Sequence, residues 1–246
     1  MKPLRSLITV AIFSSLLAGC MSRAVSPKMG GLQRSLYPGL GTLDASEIPA
    51  AFKTRVDLHP PLTAGIVWLN DSRSWGPSLS EYARAGVLKV TAAALGKPPF
   101  ATVSPLPTTV DLERGAEGAP SIDVIRGAAA KFQYDVAFIL QTGIAEESGF
   151  NPLAIGYLGL VTAPLFPGTD VSAAAGAELC AVDVRSGVML GCSVGRGYDE
   201  ARFLFPWGLS GRKADLDENV VGEATSDAAQ QLLTQIASRV SGDVSR

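Results

Sequence analysis

The residues with the most chemistry in prospect are Ser193, His59 and a handful of carboxylates. Gly191-Cys192-Ser193-Val194-Gly195 matches the G-x-S-x-G pattern of a serine nucleophile. That pattern serves catalysis when the serine sits on a sharp turn from strand into helix and its histidine comes later in the chain. Here a glycine-bearing stretch follows, and the chain's one histidine, His59, lies far upstream in front of two prolines. Ser193 therefore reads as part of a strand end. Glu146, Glu147 and Asp183 are the carboxylates that could pair as acid and base across neighbouring strands, although turns and strand ends carry such residues for plainer reasons. Asp215, Asp217 and Glu218 crowd near a helix start without the spacing of a calcium loop, and read as a solvated turn complementing the helix dipole. Gly156 and Gly159 lack the Lys-Ser/Thr that completes a phosphate loop. No catalytic residue, metal site or cofactor is expected.

Cysteine chemistry is more informative. Leu17-Ala18-Gly19-Cys20 follows Lys2, Arg5 and an apolar run from Leu7 to Leu17. A basic start, a short apolar core and small residues before a cysteine form a signal peptide of the lipoprotein kind. An apolar run of about 11 residues falls short of the roughly 20 that span a bilayer. The four residues resemble the bacterial lipobox, which implies removal of residues 1–19 and acylation of Cys20. Met21 rather than aspartate follows the cysteine, which by the same resemblance favours the outer membrane, with the domain facing the periplasm. In that oxidising compartment the remaining pair, Cys180 and Cys192, reads as a disulfide.

The elements that position these groups follow from patterning. Residues 20–61 read as a lipid-anchored tether and arm, broken by Met29-Gly30-Gly31, Tyr37-Pro38-Gly39 and His59-Pro60-Pro61, with Ser35 to Pro38 as a piece that docks on the domain. Residues 62–246 read as one α/β domain. Leu62 to Leu69 is a strand covered on both faces. Ser78-Leu79-Ser80-Glu81 fits a capping box opening a helix with Tyr82, Gly86 and Val90 inward. Phe100 to Leu106 is a short strand that Pro105 confines to an edge. Ser121 to Phe132 is a helix with Ile122, Ile125, Ala129 and Phe132 inward, and Asp135 to Gln141 is a third strand. This βαβαβ order argues for a mixed α/β layer structure.

Val171 to Val184 and Val188 to Val194 form a hairpin around Arg185-Ser186-Gly187, with Gly187 supplying the left-handed position. Pairing Val184 with Val188 sets Val182 against Leu190 and Cys180 against Cys192, all on one face. Gly195 to Gly211 reads as an aromatic loop. A final helix follows, capped by Asp215 or Asp217 and carrying the stripe Val220, Val221, Ala224, Ala228, Leu232, Ile236 and Val240.

Composition bounds the function. Of 246 residues, 47% are hydrophobic and 18% charged, enough for one sizeable core. Removing residues 1–19 takes away two of 21 basic residues and none of 23 acidic ones, leaving a net charge of −4. Nucleic-acid binding needs clustered Lys and Arg, and no cluster occurs. The candidate partner surfaces are apolar: the segment 152–166, with Tyr157 and Leu158, and the loop with Phe203, Phe205 and Trp207. The expected partners are the membrane, through the lipid anchor, and an envelope protein.

The signal peptide with its cysteine, Leu36-Tyr37-Pro38, Tyr134-Asp135-Val136-Ala137 and Val182-Asp183-Val184-Arg185-Ser186-Gly187 together resemble the rhombosortase-target lipoproteins of proteobacteria. More distantly they resemble the α/β periplasmic domains of the curli-secretion channel lipoprotein, the penicillin-binding-protein activator lipoprotein and the N-terminal domain of the Tol-system β-propeller protein. The resemblance implies an envelope location and an α/β fold, and supplies no catalytic residue. Ser241 to Arg246 departs from the rhombosortase-target pattern, lacking its glycine pair, hydrophobic helix and basic tail. Three readings stand: a non-catalytic outer-membrane lipoprotein that binds or scaffolds, an oligomeric secretion or assembly component that contacts membrane through residues 145–175, and a carboxylate-dependent enzyme on envelope polymers.

Overall fold

The structure, a computed structural model, describes residues 27, 31–37, 56–69, 79–107, 121–150, 168–203 and 209–243. Its elements are α1 (Leu32–Leu36), β1 (Leu62–Leu69), α2 (Glu81–Leu95), β2 (Phe100–Pro105), α3 (Ile122–Lys131), β3 (Val136–Phe150), β4 (Thr169–Asp183), β5 (Met189–Phe203) and α4 (Leu209–Asp243). The strands make one mixed sheet in the order β2-β1-β3-β4-β5. β1 pairs in parallel with β2 and β3, while β3, β4 and β5 run antiparallel to their neighbours. The βαβαβ first half is as the sequence suggests, and β2 with Pro105 does lie at an edge.

Both faces of the sheet are covered. On one, Leu62, Ile66, Phe138, Leu140, Leu179 and Ala177 meet α2 and α4 through Val87, Leu95, Val220, Ala224, Leu232 and Ile236. On the other, Val67, Leu69, Ile139, Cys180 and Val182 meet Ile125 and Ala129 of α3 and Leu32 and Leu36 of α1. This double burial explains why β1 and the first half of β3 are continuous apolar runs rather than alternating ones.

Several expectations need correcting. Ser80 rather than Ser78 caps α2, its hydroxyl accepting from the Ala83 amide at 3.1 Å. The buried stripe of α2 is Ala83, Val87, Thr91 and Leu95, leaving Tyr82 and Val90 exposed. Thr91 is tolerated inside because its hydroxyl donates to the Val87 carbonyl at 2.8 Å. Phe132 is partly exposed at the end of α3 and stacks on Tyr134.

At the hairpin, Cys180 does face Cys192, but a bulge between Ala181 and Val182 pairs Val182 with Met189. The extra residue reverses the alternation, so Leu190 enters the core beneath α4 while Val182 and Val184 stay beside Cys180. Gly187 is left-handed, with φ 75°.

β5 continues to Phe203 where the sequence suggests a loop. Its alternate residues Ser193, Gly195 and Gly197 face α4, and the missing side chains at the glycines let that helix's backbone lie against the strand. Phe203 is consequently core, 5% exposed, and not a presented partner residue. α4 begins at Leu209, so Asp215 and Asp217 lie inside the helix and do not cap it. Residues 145–150 and 169–175 are antiparallel neighbours in β3 and β4, so the ends of the suggested membrane-contacting segment are paired strands. Among the described residues no helix is long and apolar enough to cross a membrane.

Candidate functional site

Among the described residues, two clusters of polar side chains link the layers of this double-covered sheet. The first joins β3 to α4. Lys213 and Asp217 are one turn apart on α4 and so share a face. Glu146 reaches them from the strand below: Lys213 Nζ lies 3.1 Å from Glu146 Oε2, with the two side chains 28% and 19% exposed. Asp217 is 6% exposed and shares a hydrogen bond with Glu146, and its Oδ1 is buried with no hydrogen-bond partner. Burial pushes the Asp217 carboxyl up to about 7, the Glu146 hydrogen bond and charge push the same way, and Lys213 opposes them. Chemically the trio sets a buried carboxyl, Asp217, beside a carboxylate paired with an ammonium, and Asp217 can give up or take back a proton near neutral pH.

The grouping of Glu146 with Glu147 and Asp183 is not what the chain builds. Successive strand residues point to opposite faces, so Glu147 lies across the sheet from Glu146. Asp183 is 2% exposed and fully engaged at the hairpin tip, accepting from the amides of Arg185 at 3.4 Å and Ser186 at 3.0 Å and from the Ser186 hydroxyl. Asp215 faces outward, and the Glu218 carboxylate lies against Gly86 of α2. Among the described residues no three His, Cys, Asp or Glu side chains are placed to hold a metal ion. Ser193 donates to the Ala228 carbonyl at 2.6 Å beneath α4, and His59 sits exposed against Asp57 at 2.9 Å, so neither is arranged as nucleophile or base.

The second cluster is where the arm docks. Leu32 and Leu36 are buried, and Glu178 accepts from the amides of Gly31, at 3.3 Å, and Leu32. A carboxylate at a helix start satisfies orphan amides and meets the positive end of the dipole. Tyr37 closes the other end, its hydroxyl donating to the Gly187 carbonyl at 2.6 Å. Burial raises the Tyr37 phenol pKa, with Arg126 pulling it down and Asp123 pushing it up. Arg126 of α3 grips the same hairpin tip, Nε donating to the Val184 carbonyl at 3.0 Å and Nη2 to that of Arg185 at 2.8 Å. The tip is thus held from two sides. Glu178 carried a signal in the sequence, a lone carboxylate among the Ala, Leu and Cys of β4; its target amides, 146 and 147 residues away, carried none.

Glu178→Ala should therefore loosen the arm without disturbing the sheet. Loss of two charge-assisted bonds corresponds to about 1–3 kcal/mol. Amide hydrogen exchange at residues 31–37 should speed accordingly while residues 136–140 keep their protection; unchanged exchange at the arm would mean that Glu178 does not hold it.

The sulfurs of Cys180 and Cys192 are bonded across the hairpin, with Cα atoms 4.1 Å apart and 12 residues between them in sequence. Closing a loop of that length stabilises on the order of 3 kcal/mol. Cys180→Ala with Cys192→Ala should lower the unfolding free energy by about that amount, read as a reduced midpoint in urea, and the wild type should match it under reductant.

A cavity of about 150 Å³, lined by Val56, Leu58, Leu190, Ile236, Arg239 and Val240, opens where residues 56–58 pass the end of α4. Of the other residues singled out from sequence, Cys20, Tyr157, Leu158, Phe205 and Trp207 lie outside the described residues.

No family model matches the chain, and no curated protein does. Among solved structures, the PelC dodecamer from Paraburkholderia phytofirmans is 10% identical, over 74% of this chain and 91% of that one, with a TM-score of 0.33. Lipoprotein GNA1162 from Neisseria meningitidis is 16% identical over 75% and 99%, with a TM-score of 0.32. A minor lipoprotein from Acinetobacter baumannii is 11% identical over 73% and 93%, with a TM-score of 0.34. Likenesses this slight carry no argument about what this chain does.

Proposed function

We propose that the chain is a lipid-anchored component of the bacterial cell envelope, attached through Cys20 to the outer membrane and facing the periplasm, where it binds or scaffolds rather than catalyses. The observation that supports this reading is the docking of Gly31 to Tyr37 on the sheet. A segment shortly after the lipobox-like cysteine is tied into the domain by Glu178 and by the buried Leu32 and Leu36, an arrangement that suits a tether which positions the domain relative to its anchor. The disulfide fits an oxidising compartment.

Intact mass of the membrane-extracted protein, with and without reduction, tests it. The expected mass begins at an acylated Cys20 and gains two hydrogens on reduction. A mass that keeps residues 1–19, or two free thiols before reduction, overturns the proposal.

A second reading, a carboxylate-dependent enzyme acting on envelope polymers, draws support from Asp217, a buried carboxyl raised to about 7 beside Glu146. It requires both carboxyls. Glu146→Gln and Asp217→Asn leaving the cellular phenotype of the wild type intact would remove it.

A further inference from the structure

We infer that the exposed stripe of β5 on the arm-bearing face, Val194, Arg196, Tyr198 and Arg202, is a surface that rests on the lipid headgroups of the bilayer holding the anchor. The inference rests on the acylation of Cys20 proposed above. Beyond the bulged start of β5, where Leu190 turns under α4, the even-numbered residues from Cys192 to Arg202 point to this face, opposite the one covered by α2 and α4. Val194 and Tyr198 are 48% and 56% exposed, and Arg196, Glu200 and Arg202 are exposed with them. Among the described residues the other large exposed hydrophobics, Tyr82, Val90 and Phe132, sit on or at the end of helices α2 and α3 and form no strip with these.

The arm says what covers the strip. Glu178, which holds the amides of Gly31 and Leu32, is the cross-strand partner of Val194, so the arm is tied to the domain one strand away from the stripe. Cys20 and Gly31 are eleven peptide steps apart, a span of at most about 40 Å. That is shorter than α4, whose 35 residues measure about 52 Å. The point where the arm is tied to the domain therefore stays within about 40 Å of the acylated residue.

The stripe's chemistry suits a headgroup layer. Tyrosine places an apolar ring and a polar hydroxyl at such a boundary. Arginine gives guanidinium donors to phosphate, with its stem lying along apolar surface. Glu200 sits within the stripe, and Arg202 is engaged with Asp170 at 3.5 Å, so Arg196 carries the positive charge and the attraction is chiefly interfacial rather than electrostatic. Weak dependence on salt follows.

Fluorescence in vesicles tests the surface. Tyr198→Cys, carrying an environment-sensitive fluorophore on the full acylated protein, is reconstituted into vesicles of phosphatidylethanolamine and phosphatidylglycerol containing a quencher attached to the lipid. Tyr82→Cys, on α2 at the other face, is the reference, and Arg196→Cys is a second reporter should position 198 perturb the strand. Quenching several-fold stronger at 198 and 196 than at 82 is expected. An acylated, vesicle-bound protein quenched equally at both faces, or at neither, overturns the stripe while leaving the anchor in place. A protein that carries no acyl chain and does not bind the vesicles removes the anchor, and the inference with it.

Discussion

Gly195→Ala should destabilise the fold by more than about 3 kcal/mol. A Cβ built at Gly195 falls on the Ala224 carbonyl of α4 and lies 2.5 Å from the Ala228 amide nitrogen. Both are main-chain atoms, so no side chain can swing aside, and relief requires lifting a helix that buries Val220, Ala224, Ala228 and Leu232 against the sheet. Ordinary overpacking among side chains costs about 1–3 kcal/mol; displacing backbone from such a contact exceeds that, and a domain stable by about 5–15 kcal/mol loses much of its margin. Gly197 is similarly placed, its Cβ meeting the Val220 carbonyl and lying 3.2 Å from the Ala224 amide nitrogen. Gly222→Ala is the matched control, within the same helix but with open space around its Cβ, and should stabilise by about 1 kcal/mol. Urea unfolding followed by circular dichroism reads both. A Gly195→Ala midpoint equal to wild type would mean that α4 does not lie against the strand as described.

Stability should also fall as pH rises from about 4 to about 7, and Asp217→Asn should abolish that slope. The Asp217 carboxyl moves from 3.8 in the unfolded chain up to about 7 in the fold, so within that window the native state binds more protons than the unfolded state. Unfolding free energy then decreases with pH. Below the window the group is protonated in both states and its contribution to stability is fully present; above it the loss is complete. Ionised, Asp217 has an unpartnered buried oxygen and faces the Glu146 carboxylate. Lys213 and the partial exposure of its ion pair with Glu146 screen that repulsion, which brings the loss to about 2 kcal/mol. Asparagine keeps a donor toward Glu146 without the charge. The variant should match wild type near pH 4 and exceed it near pH 8, and equal slopes for the two proteins would exclude Asp217 as the titrating group.

The parts legible in the sequence are those whose cause is local. β1, α3 and the first half of β3 follow from apolar runs, caps and stops, and the Cys180–Cys192 pairing from counting outward from a hairpin turn. The parts missed have distant causes. Gly195 and Gly197 look like loop residues until α4 is laid over them, and Glu146-Glu147-Ser148 looks like a turn until β4 pairs with it. The bulge at the hairpin base, which sends Leu190 into the core, has no composition of its own. The inward face of α2 was misplaced by one position because Ala83 and Thr91 are weaker hydrophobic signals than Tyr82 and Val90. The same limit hid the candidate site. Glu146 and Asp217 are 71 positions apart in the sequence, and their meeting depends on the length of β3 and the early start of α4, neither of which local pattern reveals.

The docking of the arm also fixes an order of events. The contacts of Gly31, Leu32 and Tyr37 are with residues 146 to 150 positions further along, so they cannot form before the chain through Gly187 has been made. Their targets, Glu178 and the Gly187 carbonyl, exist as a site only once β4 has turned back into β5. In a chain that emerges amino end first, the segment made earliest is thus the one that settles last. A docked arm certifies a finished sheet, and its protection from proteases, followed in time, would serve as a clock for the completion of folding.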